Sequence, residues 1–263
     1  MGTRRREPLY ALGMAIVRVL FRVLRLRPTV TGLSNLPADG GAVLAMTHFG
    51  YLEFGLVGWV IWRDSRRPIR FLATKSAFER PIVGAILRSA GQIPVELHGA
   101  ADAYAAAEAA LQSGELIGIF PEAGVDASFT VRALKTGAVR LAQEAGAPLI
   151  PIAVWGGQRL LTKRHRIPFR SRFRLPLSFA FGSAVPTDEE AHVATVHLRE
   201  RLQELLAGLQ ATYPDDGIGQ WWQPRHLGGT APTPDEAVAA DAQAAAARDA
   251  RRKASTNPPQ GRS

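Results

Sequence analysis

The stretch Gly41-Ala42-Val43-Leu44-Ala45-Met46-Thr47-His48-Phe49-Gly50-Tyr51-Leu52-Glu53 decides how this chain is read. Its first half is a short apolar run, the pattern of a buried strand. A histidine follows the run, and a carboxylate stands five positions beyond it. A neutral imidazole takes a proton near pH 7, and a nearby carboxylate can fix its tautomer and stabilise the imidazolium that forms. That pairing suits activation of a substrate hydroxyl for attack on an acyl carbonyl. A histidine that merely caps the next helix would leave the same trace, so the neighbouring segments carry the argument.

Outward from this stretch, strand-like runs fall at 43–46, 69–73, 93–96, 116–120, 149–154 and 177–181. Helical candidates lie between and after them at 51–62, 81–90, 100–112, 131–145 and 188–209. Repeated β-α alternation with short connections predicts an α/β fold, a largely parallel central sheet with helices on both faces. In such sheets functional residues gather at the carboxyl ends of the strands. His48, Lys75 and Glu122 each stand just after a predicted strand.

The segments in order are Lys75-Ser76-Ala77-Phe78-Glu79-Arg80-Pro81, Gly91-Gln92-Ile93-Pro94-Val95-Glu96, Ile119-Phe120-Pro121-Glu122-Ala123-Gly124, Lys135-Thr136-Gly137 and Leu149-Ile150-Pro151-Ile152-Ala153-Val154. With His48 and Glu53 they resemble the motifs of the glycerophospholipid acyltransferases, the 1-acylglycerol-3-phosphate acyltransferase family, over residues 29–210. The family's first motif is His-x-x-x-x-Asp, its second ends Gly-x-Ile-x-Val/Ile-Asp-Arg, its third is Phe-Pro-Glu-Gly-Thr-Arg and its fourth is an apolar strand with an internal proline. The resemblance implies transfer of a fatty acyl group from a thioester to a hydroxyl of a lysophospholipid such as 1-acylglycerol-3-phosphate. His48 would be the general base and Glu53 its orienting carboxylate. The donor would be acyl-CoA or acyl carrier protein, with no metal or redox cofactor.

Three departures from the family pattern matter. Glu53 replaces the usual Asp, adding a methylene and keeping the charge. The third motif reads Glu122-Ala123-Gly124-Val125 and the second ends Val95-Glu96-Leu97, so both motif arginines are absent. Those arginines are associated in the family with the acceptor's phosphate. Either other cations hold that phosphate, or the acceptor has a different head group. Lys75, Arg80, Arg132 and Lys135 are the nearest cations in sequence, and each could equally be a solvated surface charge. Glu122 either accepts hydrogen bonds from the acceptor or holds the site loop, with Gly124 freeing the backbone just beyond it. A catalytically inactive membrane-binding relative is the competing reading, and retention of His48 and Glu53 argues against it.

Composition limits the remaining classes. The 263 residues suffice for one sizeable α/β domain with extensions. Cysteine is absent, which removes disulfides, thiolate zinc sites and a thiol nucleophile. No carboxylate or histidine cluster has metal-ligand spacing. The net charge of +9 calls for an anionic partner. No helix-turn-helix, zinc-finger or aromatic RNA-binding pattern accompanies it, so nucleic acid is not the expected one.

The basic residues cluster at the N-terminus and between Arg159 and Arg174. In residues 9–26, Arg18, Arg22 and Arg25 share one helical stripe, and Leu12, Ile16, Val19, Leu20, Val23 and Leu24 cover the rest. Arginines inside the segment disfavour a spanning helix. The expectation is an amphipathic helix on an anionic membrane surface, peripheral on the cytoplasmic face of the cell membrane. The alternative is a helix that packs its apolar side on the domain. Three parts are thus expected: a basic helix at 1–28, an acyltransferase domain at 29–210 and a largely flexible extension at 211–263. Within that extension residues 237–253 could form an isolated, marginal helix, and the last ten read as disordered.

Overall fold

The structure is a computed structural model that describes residues 7–79, 81–95 and 100–256. The chain divides into two compact units, residues 1–125 with 131–216 and residues 126–130 with 217–263.

The larger unit is built on a seven-stranded sheet. Its strands are β1 (Arg27–Thr31), β2 (Ala42–Met46), β3 (Ile69–Thr74), β4 (Ile93–Val95), β5 (Leu116–Ile119), β6 (Leu149–Trp155) and β7 (Pro176–Phe181), in spatial order β1-β7-β6-β2-β5-β3-β4. All neighbours run parallel except β6 and β7. The expected architecture is what forms. Every residue of β2, β6 and β7 is buried, as uninterrupted apolar runs require when both faces are covered.

On one face, α1 (Pro8–Val23) and α2 (Glu53–Ser65) pack over Leu44, Met46, Ile152, Val154 and Phe179. Helices α6 (Gly137–Ala145) and α7 (Ala191–Ala211) contact β2, β6 and β7 through residues outside that cluster, including Val139, Leu198 and Leu202, and so cover the other face. The short helices α3 (Lys75–Phe78) and α4 (Pro81–Ser89) follow β3, and α5 (Ala100–Gln112) packs on β4 and β5.

Several boundaries differ from the sequence expectation. Arg25 does not share the helical stripe of Arg18 and Arg22, because α1 ends at Val23 and Arg25 takes a left-handed φ of 52°. The Leu26 N–H then closes back on the Phe21 carbonyl at 2.9 Å, a helix-ending bond that aims the chain into β1. Pro28, expected to lead into a loop, lies in β1 instead. That strand is at the sheet's edge, where a missing N–H costs no ladder bond. The other revision is at 131–145, where only Gly137–Ala145 is helical and residues 131–135 form an irregular loop.

Helix α1 has two apolar sides. Tyr10 and Phe21 are buried, and Phe21 stacks on Trp59 of α2 with centroids 4.1 Å apart. Gly58 of α2 leaves room for Tyr10, whose hydroxyl lies 3.0 Å from where a Cβ would stand. That hydroxyl accepts the Ile69 N–H at 3.1 Å, and Glu7 pairs with the buried Arg70. Leu12, Ile16, Val19 and Val23 stand on the far side, more than half exposed. The helix therefore does pack on the domain, and still presents an unburied apolar stripe. No helix among the described residues is long and apolar enough to cross a membrane.

In the smaller unit, α8 (Pro234–Thr256) begins with a reciprocal cap. Glu236 N–H donates to Thr233 Oγ1 at 3.3 Å, and Thr233 N–H donates to Glu236 Oε2 at 2.9 Å. Trp222 and Ala237 are buried, and Phe129 meets the Trp221 ring edge-on. Of the last ten residues, 254–256 continue the helix and 257–263 lie outside the described residues.

Docking of α1 can be tested directly. Tyr10→Phe leaves the buried Ile69 N–H without its acceptor, and equilibrium urea unfolding should show a loss of about 1–3 kcal/mol.

Candidate active site

Strand β2 occupies the middle of the sheet, with β5 on one side and β6 on the other, all three parallel. At its carboxyl end Thr47 is tied to β6 twice: its N–H donates to the Ile152 carbonyl at 3.1 Å, and its hydroxyl accepts the Val154 N–H at 3.0 Å. His48 emerges from this anchored point. The turn that follows is gripped by residues 157–162. Tyr51 N–H donates to the Leu161 carbonyl at 2.9 Å, and the Thr162 hydroxyl donates to the Phe49 carbonyl at 2.6 Å. A Cβ on Gly50 would stand 2.9 Å from the Gly157 carbonyl oxygen, so the close approach of the two backbones requires glycine.

Helix α2 starts at Glu53, whose carboxylate folds back over the turn. Its Oε2 lies 3.2 Å from His48 Nδ1 and accepts the Phe49 N–H at 2.9 Å. The Glu53 side chain is wholly buried, whereas His48 keeps 16% of its side-chain surface. With Nδ1–H donated to Glu53, the lone pair of the ring stands at Nε2. Burial pushes the Glu53 pKa up, against the opposing pull of His48 and of the Gly50 and Phe49 N–H groups. The pair is thus held in a dry setting, where its mutual attraction is strong and an unpaired charge would be costly.

A second carboxylate reaches the same point from β5. The Phe120 ring stacks on His48, centroids 4.0 Å apart and planes 24° from parallel. Buried Glu122 accepts the His48 N–H through Oε1 at 3.3 Å and the Arg132 N–H through Oε2 at 3.2 Å. The Arg132 Nε is 4.0 Å from the same oxygen. Lys135 N–H donates to the Pro121 carbonyl at 2.9 Å, which lays the 131–135 loop back over the strand end. Both oxygens of Glu122 therefore hold the chain together around His48. A retained His-x-x-x-x-acid turn, buttressed by Phe120-Pro121-Glu122, can position a hydroxyl and take its proton.

Comparison with known proteins gives this geometry a family. Over 179 residues the chain is 32% identical to the 1-acyl-sn-glycerol-3-phosphate acyltransferase of Bacillus subtilis, covering 65% of this chain and 84% of that protein. The chain belongs to the glycerophospholipid acyltransferase family. Residues 27–155, spanning β1 to the end of β6, match the Acyltransferase family. The enzyme of the same name from Borreliella burgdorferi is 23% identical over 157 residues, which are 59% of this chain and 61% of that one. The fold is that of the 1-acyl-sn-glycerophosphate acyltransferase PlsC from Thermotoga maritima, with a TM-score of 0.63 and 19% identity across 78% of this chain and 81% of that one.

Within this acyltransferase, the structure brings together His48, Glu53, Glu122 and Arg132. Gly124 does not supply the backbone freedom expected of it. The left-handed residue is Ala123, at φ 56°, and Gly124 has open space around it. Lys75 opens α3 at the end of β3, two strands from β2, on an open groove of about 530 Å³ shared with Phe78, Arg88 and Gln92. Lys135 is exposed and meets the third motif through its backbone. Arg80, Glu96, Leu97 and His98 lie outside the described residues. Thr47, Gly50, Phe120, Gly157 and Thr162 also shape the site. Only the adjacency of Thr47, Gly50 and Phe120 to the motif residues hints at them in sequence.

The raised Glu53 pKa has a sign that can be checked. A folded-state value above the ordinary 4.5 means that the fold favours protonated Glu53. That contribution is complete below the ordinary value and is lost as pH rises through the folded-state value. Glu53→Gln mimics the protonated form and lacks this titration. Urea midpoints measured across a pH series should therefore show the variant gaining on the wild type as pH increases, while its activity falls.

Proposed function

We propose that this acyltransferase moves a fatty acyl group from an acyl thioester to the free hydroxyl of 1-acylglycerol-3-phosphate, with His48 as general base. The 3.2 Å contact between His48 Nδ1 and the buried Glu53 carboxylate carries this reading. It leaves Nε2 to accept the hydroxyl proton as the acceptor oxygen attacks the thioester carbonyl. The tetrahedral oxyanion then collapses, the carbon–sulfur bond breaks, and the departing thiolate takes up the proton from His48. No covalent acyl-enzyme forms and no metal or redox group takes part. The donor is acyl-CoA or acyl carrier protein. An intact base and carboxylate speak against a catalytically inactive relative.

Arg132 is the cation we assign to the acceptor's phosphate. The third motif's own arginine is missing, since Val125 stands in its place and is buried. Arg132 is held at the same strand end, its N–H on Glu122. Lys75 and Lys135 are the remaining candidates. The enzyme meets its lipid substrates as a peripheral protein on the cytoplasmic face of the membrane, through the outward stripe of α1.

Steady-state kinetics with labelled acyl-CoA and 1-acylglycerol-3-phosphate test both assignments. His48→Ala should lower kcat by about 10²–10⁴-fold with the fold intact. Arg132→Gln should raise the acceptor KM by about 10- to 150-fold and spare kcat, as loss of a charge-assisted ground-state contact does. Wild-type turnover by folded His48→Ala protein would remove the mechanism. An unchanged KM in Arg132→Gln would return the phosphate to another cation or point to a different head group.

A further inference from the structure

Away from the catalytic pair, α1 and α2 enclose a groove of about 380 Å³. Arg18 and Met14 of α1 line it on one side. Trp59, Trp62, Arg63 and Arg66 line it on the other, with Arg66 in the left-handed residue that ends α2. The Arg63 guanidinium lies over the Trp59 ring at 5.1 Å, and that of Arg66 over Trp62 at 5.8 Å. No carboxylate lines the groove. None of the three arginines pairs with a carboxylate among the described residues. Three like charges thus share one concavity with no carboxylate in its lining, and Arg63 and Arg66 lie at the negative end of α2, where cations are favoured. A guanidinium over an indole face spends none of its N–H donors on that contact, and its planar fork can take a phosphate in two parallel hydrogen bonds.

We propose that this groove binds the phosphate of an anionic glycerophospholipid within the bilayer, as a tether distinct from the acceptor being acylated. The choice of a bilayer lipid rests on the reading that α1 meets the membrane. The exposed stripe Leu12, Ile16, Val19 and Val23 occupies one side of α1, and Tyr10, Met14 and Phe21 face the protein. Arg18 and Arg22 lie on the strip between these two faces. When the stripe enters the acyl region, this strip and the groove beside it sit at head-group level, where tryptophan and arginine are both favoured. The groove is not the acceptor subsite. Glu53 begins α2, and Arg63 and Arg66 lie ten and thirteen residues along the chain from it. At the rise of an α-helix that is about 15–20 Å from the catalytic end.

The test is co-sedimentation of the full chain with vesicles of phosphatidylcholine alone or with phosphatidic acid or phosphatidylglycerol as about a third of the lipid. Wild type should bind the anionic vesicles, and Arg63→Gln and Arg66→Gln should each weaken that binding about five-fold. Arg63→Lys with Arg66→Lys keeps the charge and loses the fork, so the double variant should bind nearly as poorly as the glutamine variants. Turnover on detergent-dispersed substrate should stay at the wild-type level in all of them. Full binding by the double lysine variant would reduce the groove to diffuse surface charge and overturn the proposal. Leu12→Ser with Ile16→Ser separates the two readings. Loss of binding there with no effect of the arginine substitutions leaves the membrane reading standing without the groove, and no effect of either removes both. Saturable quenching of tryptophan fluorescence by inorganic phosphate alone, at concentrations matching the vesicle phosphate, would make this a soluble-anion site and overturn the lipid assignment.

Discussion

The site depends on holding the Glu53 carboxyl group out of water, against His48, at the first residue of α2. Glu53 has no exposed side-chain surface, and burial pushes its pKa up. Three features oppose that: the adjoining imidazole, the Phe49 and Gly50 N–H groups, and the positive end of the helix that Glu53 itself begins. The same groups fix the ring of His48. Thr47 pinned to β6 and residues 157–162 clasping the turn serve one end, a fixed distance between the two side chains. Glycine at 157 belongs to the same constraint. A Cβ there would stand 3.2 Å from Glu53 Cγ and 3.3 Å from Oε1, crowding the longer acid that this chain carries in place of the family's aspartate. The extra methylene is accommodated because residue 157 brings no side chain.

The altered third motif follows from a similar trade. Val125 is buried where the family motif has an arginine, so the end of the motif contributes to packing. Glu122 compensates by reaching across to a second segment and accepting the Arg132 N–H. Ala123 occupies a left-handed conformation that glycine would adopt freely, at a cost of about 1–2 kcal/mol for a residue with a Cβ. The turn persists because the two residues before it are fixed, Glu122 by hydrogen bonds to both its oxygens and Pro121 through its carbonyl to Lys135. Backbone strain persists where the surrounding contacts fix the geometry from several directions.

The parts of this fold legible in sequence are those with strong periodicity. The runs at β2, β5 and β6 and the residues just beyond them were readable because a strand buried on both faces must be apolar throughout, and because parallel sheets put chemistry at carboxyl ends. Harder features were those whose cause lies elsewhere in the chain. Pro28 is a helix-breaking signal locally, and its place in β1 depends on a partner, β7, nearly 150 residues later. The 131–135 loop carries no Pro or Gly to announce it, and is drawn out of helix by bonds to Pro121 and Glu122. Helix α8 lacks a large apolar stripe, but its Thr233-Pro234-Asp235-Glu236 start is a capping box, a signal present in the sequence and easily passed over beside the alanine-rich run.

Helix α1 shows why amphipathic patterning alone could not choose between packing and membrane contact. Its apolar residues divide into two sets on different sides, and one helical wheel holds both. Tyr10 and Phe21 are committed to the protein by a hydrogen bond to β3 and a ring stack on α2. The remaining stripe has no partner within the chain's described contacts, and exposed apolar surface of that kind persists where something else covers it. Docking through one side fixes the direction in which the other side points. A helix free to rotate would need its arginines only as diffuse charge. A helix held by Tyr10 and Phe21 presents Arg18 at one place, beside Arg63 and Arg66, so that attachment to the sheet turns a patch of charge into a site with a shape.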